Sequence, residues 1–429
     1  MKTEVVVWLV RDTLRVSDNP ALQRACQIAQ SKESKLVALA CLEPRRWAGK
    51  QFGLPRIGDH WARFRAQSIF KLRKEMEALD AGLWLSAKEP IHAINWIHQQ
   101  YSVAAVVCDD PVATEERLEI ARLESDGYLT CRVYVDDLFR PEQLPFKLDK
   151  LPATFSGFRK LIEATPNLSP DRPINTLPTG SWIVQPWEDP IEWHKALDIP
   201  LYCNKEVPLL GGSEAAYQHW NAYLDARALS HYKETRNEFY GPMQSSHLSA
   251  WLSHGCISPR KIWWDTLHYE EKVESNESTY WLRFELLWRE YFRWYSRNTD
   301  RTLFRKTGPR NRLLETDQNH CRFDMWKRGQ TGCDIVDAAI RELNYTGWIS
   351  NRARQLVASH LIYEFNLDWR LGAAYFESQL VDYDVASNWG NWAYIAGLGP
   401  DPRGGRIFNL NNQANRYDPK GFYRNRWLS

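Results

Sequence analysis

The chain has 429 residues, of which 44% are hydrophobic and 25% charged, and its formal net charge is +2. This composition excludes the disordered and fibrous classes, and the length allows two or three domains with a large core. The net charge is too small to argue for or against nucleic acid as a partner. No stretch approaches the apolar length of a membrane span and no signal-peptide layout opens the chain, so we expect a soluble, cytoplasmic protein.

The first third of the chain alternates strand patterns with helical ones. Helical periodicity lies between most of the strands, for example at 61–79 and 91–101, and this alternation predicts a parallel, doubly wound α/β domain over residues 1–137. Buried strands are predicted at 5–10, 36–42, 83–87, 104–110 and 131–137. No GxGxxG fingerprint follows the first strand, so a nicotinamide cofactor has little support.

Residues 138–210 are rich in proline, which predicts a long linker with one short helix at 155–163. From 211 to 429 strand patterns give way to helical periodicity, and we predict an all-helical second domain. Its predicted helices are 213–224, 247–253, 258–268, 278–297, 333–343, 350–365 and 369–380. The polar, Asn-rich segment 408–419 is predicted to be a surface loop.

Charged and polar side chains surround the predicted helix 350–365. Arg354 lies within its first turns, and Asp382 and Asp384 follow the next predicted helix. Basic and acidic groups in this order can grip a phosphate-bearing, polar ligand in a mostly apolar pocket. The alternative is a helical core whose charges pair across helix ends.

Two further groups could hold a ligand. Ser245, Ser246 and Ser249 lead into a helix, where hydroxyls either bind phosphate or simply cap the helix. In helix 278–297, Glu285 shares a face with Trp288, which fits a stacked, base-like ligand with polar edge contacts. The alternative there is an aromatic core helix with one i,i+4 salt bridge to Arg289.

The 21 tryptophans call for a role beyond packing. Trp326, Trp369 and Trp392 lie on three separate segments and are either core residues or an electron-transfer chain. The eight cysteines form no CxxC pair and no histidines cluster at metal spacing, which predicts reduced thiols and no metal site.

Taken together and in this order, these segments resemble the photolyase/cryptochrome family, most closely its DASH cryptochrome branch. The resemblance covers nearly the whole chain. Its motifs include WLVRDTLRVSDNPAL (8–22), YKETRN (232–237), TGWISNRARQ (346–355), DYDVASNWGNW (382–392) and NQANRYDP (412–419).

The resemblance implies a flavoprotein whose FAD is folded into a U inside the helical domain. A pair formed by Arg354 and Asp382 would lie beside the isoalloxazine, and Asn388 would face flavin N5. The positions that match the family's FAD contacts are Tyr232, Ser245, Ser246, Leu248, Ser249, Glu285, Arg289, Trp348, Asn351, Arg354, Asp382, Asp384 and Asn388.

The implied activity is that of a DASH-type deoxyribodipyrimidine photo-lyase, which splits cyclobutane pyrimidine dimers by electron transfer from excited reduced FAD. The expected partner is DNA, preferentially single-stranded, and the expected state is a monomer. The alternatives are a blue-light photoreceptor that signals through a protein or nucleic-acid partner, and a single-strand binder without catalysis. The resemblance assigns catalysis to Glu285, Trp288, Asn388, Trp392 and Trp369, and DNA contacts to Arg236, Glu285, Trp288, Gln355 and Gln413.

Some positions depart from the wider family. Gln355 replaces the Met of other dimer photolyases and the His of (6-4) photolyases, which argues against (6-4) repair. Thr316 occupies the outermost position of the tryptophan chain, so photoreduction is expected to be slow or to leave through another aromatic residue. The resemblance also suggests a folate antenna, methenyltetrahydrofolate, near Glu115 and Glu116.

Overall fold

A five-stranded parallel sheet forms the core of the N-terminal part of the computed structural model, which describes residues 2–42, 44–176, 179–184, 209–317 and 319–429. The strand order is β5-β2-β1-β6-β7. The strands are Glu4–Val10 (β1), Lys35–Cys41 (β2), Leu83–Ser86 (β5), Ser102–Asp109 (β6) and Thr130–Val133 (β7), and a small hairpin is formed by Lys50–Gln51 (β3) and Leu54–Pro55 (β4).

Helices cover both faces of the sheet, which confirms the predicted doubly wound α/β arrangement. Strand β1 is central and pairs with β2 and β6 on either side, and its residues from Val5 to Val10 are buried. Continuous apolar strands of this kind require cover on both faces. The helices of this part of the chain are Pro20–Ser31 (α1), Pro44–Trp47 (α2), Asp59–Glu77 (α3), Pro90–Gln100 (α4) and Thr114–Ser125 (α5).

The last predicted strand is too long, because β7 ends at Val133 rather than at residue 137. The chain leaves the sheet there and carries Asp136 and Asp137 to buried arginines. Asp137 accepts hydrogen bonds from Arg293 and Arg297, at 2.7 and 2.8 Å for the shorter bond of each. Charge pairing across the two parts of the chain therefore replaces sheet pairing at this point.

The C-terminal part is helical, as predicted. Its α-helices are Ser213–Asp225 (α7), Tyr232–Thr235 (α8), Ser249–Ser253 (α9), Pro259–Lys272 (α10), Glu277–Thr299 (α11), His320–Lys327 (α12), Asp334–Thr346 (α13), Asn351–Ser359 (α14), Trp369–Gln379 (α15), Val385–Ile395 (α16), Leu410–Tyr417 (α17) and Phe422–Leu428 (α18). None of the helices in the described ranges has the length and hydropathy that a membrane span requires.

Two predictions in this part are wrong in detail. The helix predicted at 350–365 is α14 followed by a π-helical turn, His360–Glu364. The segment 408–419, predicted as a loop, contains α17, whose start is capped because the Asn409 side chain accepts a hydrogen bond from the Asn412 backbone N–H. This cap, at 2.9 Å, is a signal that the sequence carried.

The short helix predicted within the linker is confirmed as Phe155–Ala164 (α6), which begins at the side-chain cap of Thr154. Phe155 then packs face to face on Trp288 of α11, so this part of the connection covers the helical domain. Residues 185–208 of the predicted linker lie outside the described residues, and the boundaries at 137 and 210 stay predictions.

Candidate functional site

Two adjoining cavities, of about 250 and 610 Å³, open between the helices of the C-terminal domain and share much of their wall. Helix α11 lines the larger cavity with Glu285, Trp288 and Arg289. Twelve of the thirteen predicted FAD contacts line the smaller one, and the thirteenth, Arg289, lines the larger. The chain thus gathers side chains that lie up to 156 positions apart, from Tyr232 to Asn388, around one space.

The serine segment supplies hydroxyls to the cavity wall rather than helix caps. Ser245, Ser246 and Ser249 all line the smaller cavity. The N-cap position of α9 is Leu248, and it makes no side-chain capping bond, so the capping alternative fails here. The Trp348 indole N–H lies 3.4 Å from the Ser249 hydroxyl oxygen and closes this side of the wall.

Arg354 and Asp382 form a two-pronged ion pair in the wall. Arg354 Nη1 donates to Asp382 Oδ1 at 3.0 Å and Nη2 donates to Oδ2 at 2.7 Å. The Asp382 side chain is 1% exposed and that of Arg354 is 24% exposed. The guanidinium therefore carries its charge to the cavity while the carboxylate behind it fixes its position.

Asp384 and Asn388 are positioned by α16, the helix that follows. Asp384 is the N-cap and accepts a hydrogen bond from the Ser387 backbone N–H at 2.7 Å. The Asn388 amide Nδ2 donates to the Ala373 carbonyl at 3.0 Å. One N–H and the amide oxygen of Asn388 stay available, and the oxygen is an acceptor that matches the N–H that a reduced flavin carries at N5.

Glu285 is held by Trp281, one turn earlier on the same helix, and by Arg236, which helical spacing does not reveal. Its Oε1 accepts from Trp281 Nε1 at 3.1 Å and pairs with Arg236 Nη2 at 2.7 Å. Burial raises the pKa of Glu285, while the Arg236 charge and the Trp281 hydrogen bond act in the opposite direction. The i,i+4 salt bridge to Arg289 does not form, because Arg289 donates to backbone carbonyls, including that of Asp136 at 2.6 Å.

Trp288 presents an aromatic surface to the larger cavity. One face of its ring stacks on Phe155, with centroids 3.8 Å apart and planes 15° apart. The rings of Phe292 and Tyr394 lie at 5.4 and 5.6 Å and complete an aromatic wall. This wall suits a flat ring system that enters the cavity from solvent.

The predicted DNA contacts divide between the cavity and its surroundings. Arg236 and Gln355 line both cavities. Gln413 lies on α17 outside both linings, and among the described residues its Oε1 has no hydrogen-bond partner. Six further lining residues were not predicted from the sequence, although the motif DYDVASNWGNW contains three of them, Tyr383, Ser387 and Asn391. The other three are His247, Tyr394 and Arg406.

Of the three tryptophans, only Trp392 lines either of these two cavities. Its ring lies edge-on to that of Trp326, with centroids 6.3 Å apart. Trp326 is fully buried, and its ring centroid lies 5.5 Å from that of Tyr375. Trp369 packs instead against Trp389, at 5.7 Å. The tryptophans are therefore core residues by packing, yet one of them also borders the site.

Gly372 of α15 makes room for the Trp392 ring, since a Cβ at this position would lie 2.1 Å from the indole. Close approach of this kind is a reason for glycine inside a helix, where it otherwise weakens the helix. The ring can then stay at the cavity wall.

Glu115 and Glu116 line a separate groove of about 230 Å³ next to the N-terminal domain. Glu115 pairs with Arg56 at 2.5 Å, and Arg56 also pairs with Glu377 at 2.9 Å. Charged side chains dominate the lining, and within the described residues no aromatic ring contributes to it. The groove itself therefore offers no stacking surface for the pterin ring of a folate. Trp61 and Tyr383 lie in a neighbouring cavity that shares Arg46 and Glu116 with the groove.

Comparison with known proteins places these features in a family. A family model for DNA photolyase matches residues 5–178, and one for the FAD binding domain of DNA photolyase matches residues 281–429. The Cryptochrome DASH of Idiomarina loihiensis is 38% identical over 98% of this chain and 92% of that protein. The crystal structure of a Synechocystis cryptochrome has a TM-score of 0.92 and 35% identity and covers 100% of this chain and 89% of its own.

The chain belongs to the photolyase/cryptochrome family, in its DASH cryptochrome branch. A class III photolyase from Agrobacterium tumefaciens is a further structural relative of the same family, with a TM-score of 0.83 and 25% identity over 100% of this chain and 87% of its own. Membership in the family, together with the FAD-binding domain, makes the protein an FAD flavoprotein. The hydroxyls, the Arg354–Asp382 pair and the amide acceptor of Asn388 fit this cofactor.

Proposed function

We propose that this protein is a light-driven DNA repair enzyme that splits cyclobutane pyrimidine dimers, preferentially in single-stranded DNA. The observation that carries the proposal is the placement of Glu285 and Trp288. They lie one turn apart on α11 and line the larger cavity. The larger cavity adjoins the smaller one, which is lined by the predicted FAD contacts. A dimer in the larger cavity would then lie next to the cofactor, with a carboxyl group and an aromatic ring beside it.

Bound and reduced FAD would supply, on absorbing blue light, the electron that opens the cyclobutane ring, and would take the electron back once the ring has split. The protein's own residues bind and orient the lesion. The Glu285 carboxyl is set to hydrogen-bond the imide edge of the dimer, where a pyrimidine N3–H can donate to it, and the ion pair with Arg236 fixes its position. Trp288, backed by Phe155, excludes water on the apolar side of the dimer.

The preference for single strands follows from the cost of extracting the lesion. A dimer in a duplex must be unpaired and flipped out before it reaches the cavity, whereas in a single strand it has no pairing partner. The same cavity offers Gln355 where (6-4) repair would use an acidic histidine, so we restrict the proposed substrate to cyclobutane dimers.

The test uses Glu285→Ala, with Glu277→Ala as a matched control on the same helix. The Glu277 side chain is 82% exposed and lies away from the cavity. We expect Glu285→Ala to lower the repair rate about tenfold or more, since a charged hydrogen-bonding partner is lost, and to leave FAD bound. Unchanged repair would refute the role of Glu285, and loss of flavin from this variant would assign it to the cofactor instead.

The folate antenna does not fit the groove at Glu115 and Glu116, whose charges face one another and which offers no ring to stack on. We therefore derive no step from an antenna, and we propose that light is absorbed by the flavin itself. An action spectrum that follows the flavin absorbance would support this, whereas a maximum elsewhere would contradict it.

A further inference from the structure

The orientation of the Gln355 amide is set by Arg352. Arg352 Nη1 donates a hydrogen bond to Gln355 Oε1 at 2.9 Å. A guanidinium offers donors only, so the oxygen of the amide, and not its nitrogen, has to face it. Because only the amide oxygen can accept a hydrogen bond from Arg352, this contact allows a single orientation of the Gln355 amide.

Arg352 is itself held in place by neutral neighbours. Its Nη2 donates to Asn237 Oδ1 at 3.2 Å. Its guanidinium lies over the rings of Phe408 and Tyr417, at 5.6 and 5.2 Å from their centroids. A guanidinium fixed by two amides and two rings has little freedom to turn away from Gln355.

The amide nitrogen of Gln355, Nε2, lies on the side of the amide that faces away from Arg352. Gln355 is partly buried and lines both cavities. In the part of the chain that the structure describes, no group accepts a hydrogen bond from its Nε2. The site therefore contains a fixed N–H donor that has no protein acceptor.

We propose that Arg352 makes Gln355 a specificity residue of the repair site, which rests on the function proposed above. The fixed Nε2–H donates to the 4-oxo oxygen of one pyrimidine of the dimer. A cytosine in that place presents a 4-amino group, which is also a donor, so the two would meet donor to donor and one hydrogen bond would be lost. The enzyme thus favours dimers with thymine or uracil at this position over dimers with cytosine.

The test compares three dimers in otherwise identical single strands: thymine–thymine, cytosine–thymine and thymine–cytosine, used before the cytosine deaminates. Repair rates are measured at limiting and saturating substrate, and affinity is measured in the dark by fluorescence anisotropy. We expect one of the two cytosine-containing dimers to be bound and repaired roughly fivefold to tenfold less well than the thymine dimer, the loss of about one hydrogen bond.

Three variants separate the roles. Gln355→Met keeps the bulk and removes the donor, so the preference should disappear. Arg352→Met leaves the amide free to turn its oxygen toward the cavity, so the preference should fall there too. Arg416→Gln removes a neighbouring surface arginine that lies over Tyr417 and should leave the ratio between dimers unchanged. Retained flavin absorbance shows that each variant is folded.

Two results would overturn the inference while leaving the repair function standing. One is equal repair of all three dimers by the unaltered protein. The other is an Arg352→Met variant that loses affinity equally for every dimer, which would make Arg352 a contact of the DNA backbone and not a positioning residue. Absence of repair of every dimer would instead refute the proposed function, and the inference with it.

Discussion

Asp137 joins the sheet domain to the helix that carries the site, and its neutralisation should weaken this junction strongly. Arg293 and Arg297 of α11 bind both of its oxygens, through four hydrogen bonds of 2.7, 2.8, 2.9 and 3.3 Å. The Asp137 side chain is 1% exposed. Burial would raise the pKa of this carboxyl, but the two guanidinium groups hold it well below its usual range.

We expect Asp137→Asn to lower the free energy of unfolding by about 4 kcal/mol. Arg293 would lose its paired carboxylate, Arg297 would keep only Asp110, and the new amide N–H would face other donors. The measurement is urea unfolding of the FAD-bound protein, read from the midpoint at an unchanged slope. Asp171→Asn is the matched control, since Asp171 is 48% exposed, pairs with Arg140 at 3.4 Å, and should cost less than about 1 kcal/mol. Equal losses in the two variants would contradict a stabilising role of the buried Asp137 ion pairs.

Three further predictions concern Asp382 in the cavity wall, Gly372 behind Trp392, and His254, which is buried outside both cavity linings. Asp382→Asn should weaken FAD binding at least tenfold, measured by flavin fluorescence, because Arg354 loses the partner that fixes it; unchanged affinity would contradict this. Gly372→Ala should lower the melting temperature and displace Trp392, seen as a changed indole fluorescence; a melting temperature equal to that of the unaltered protein would contradict the close contact. His254 is buried and its pKa is lowered to about 3, so the stability that it contributes is complete above about pH 6.5 and is lost as the pH falls toward 3. Its replacement by Gln should flatten the fall in stability between these limits, and an identical pH profile would exclude the effect.

The sheet and most helices could be predicted because their hydrophobic period is local. Strand β1 reads as a continuous apolar run, and α11 as a helix, from the residues alone. The end of β7 could not be predicted in this way. Asp137 follows an apolar alternation, and only the arginines of α11, more than 150 positions away, draw the chain out of the sheet.

The family motifs predicted many of the residues that line the two cavities. The hydrogen bonds and ion pairs among these residues were not predicted. Helical spacing offers Arg289 as the partner of Glu285, but the partner is Arg236, from a different helix region. The hydrogen bond from Arg352 to Gln355 was not predicted either. A spacing of three residues on a helix allows this contact, but the sequence does not say which end of the Gln355 amide faces Arg352.

The most direct test of the proposed function is blue-light repair of a thymine dimer by the reduced, FAD-bound protein, in a single strand and in the same sequence as a duplex, with a dark control. We expect light-dependent repair of the single strand and weak or no repair of the duplex. Repair of neither strand form, with flavin bound and reducible, would contradict the repair function and favour a photoreceptor. Repair of both at similar rates would contradict the single-strand preference alone.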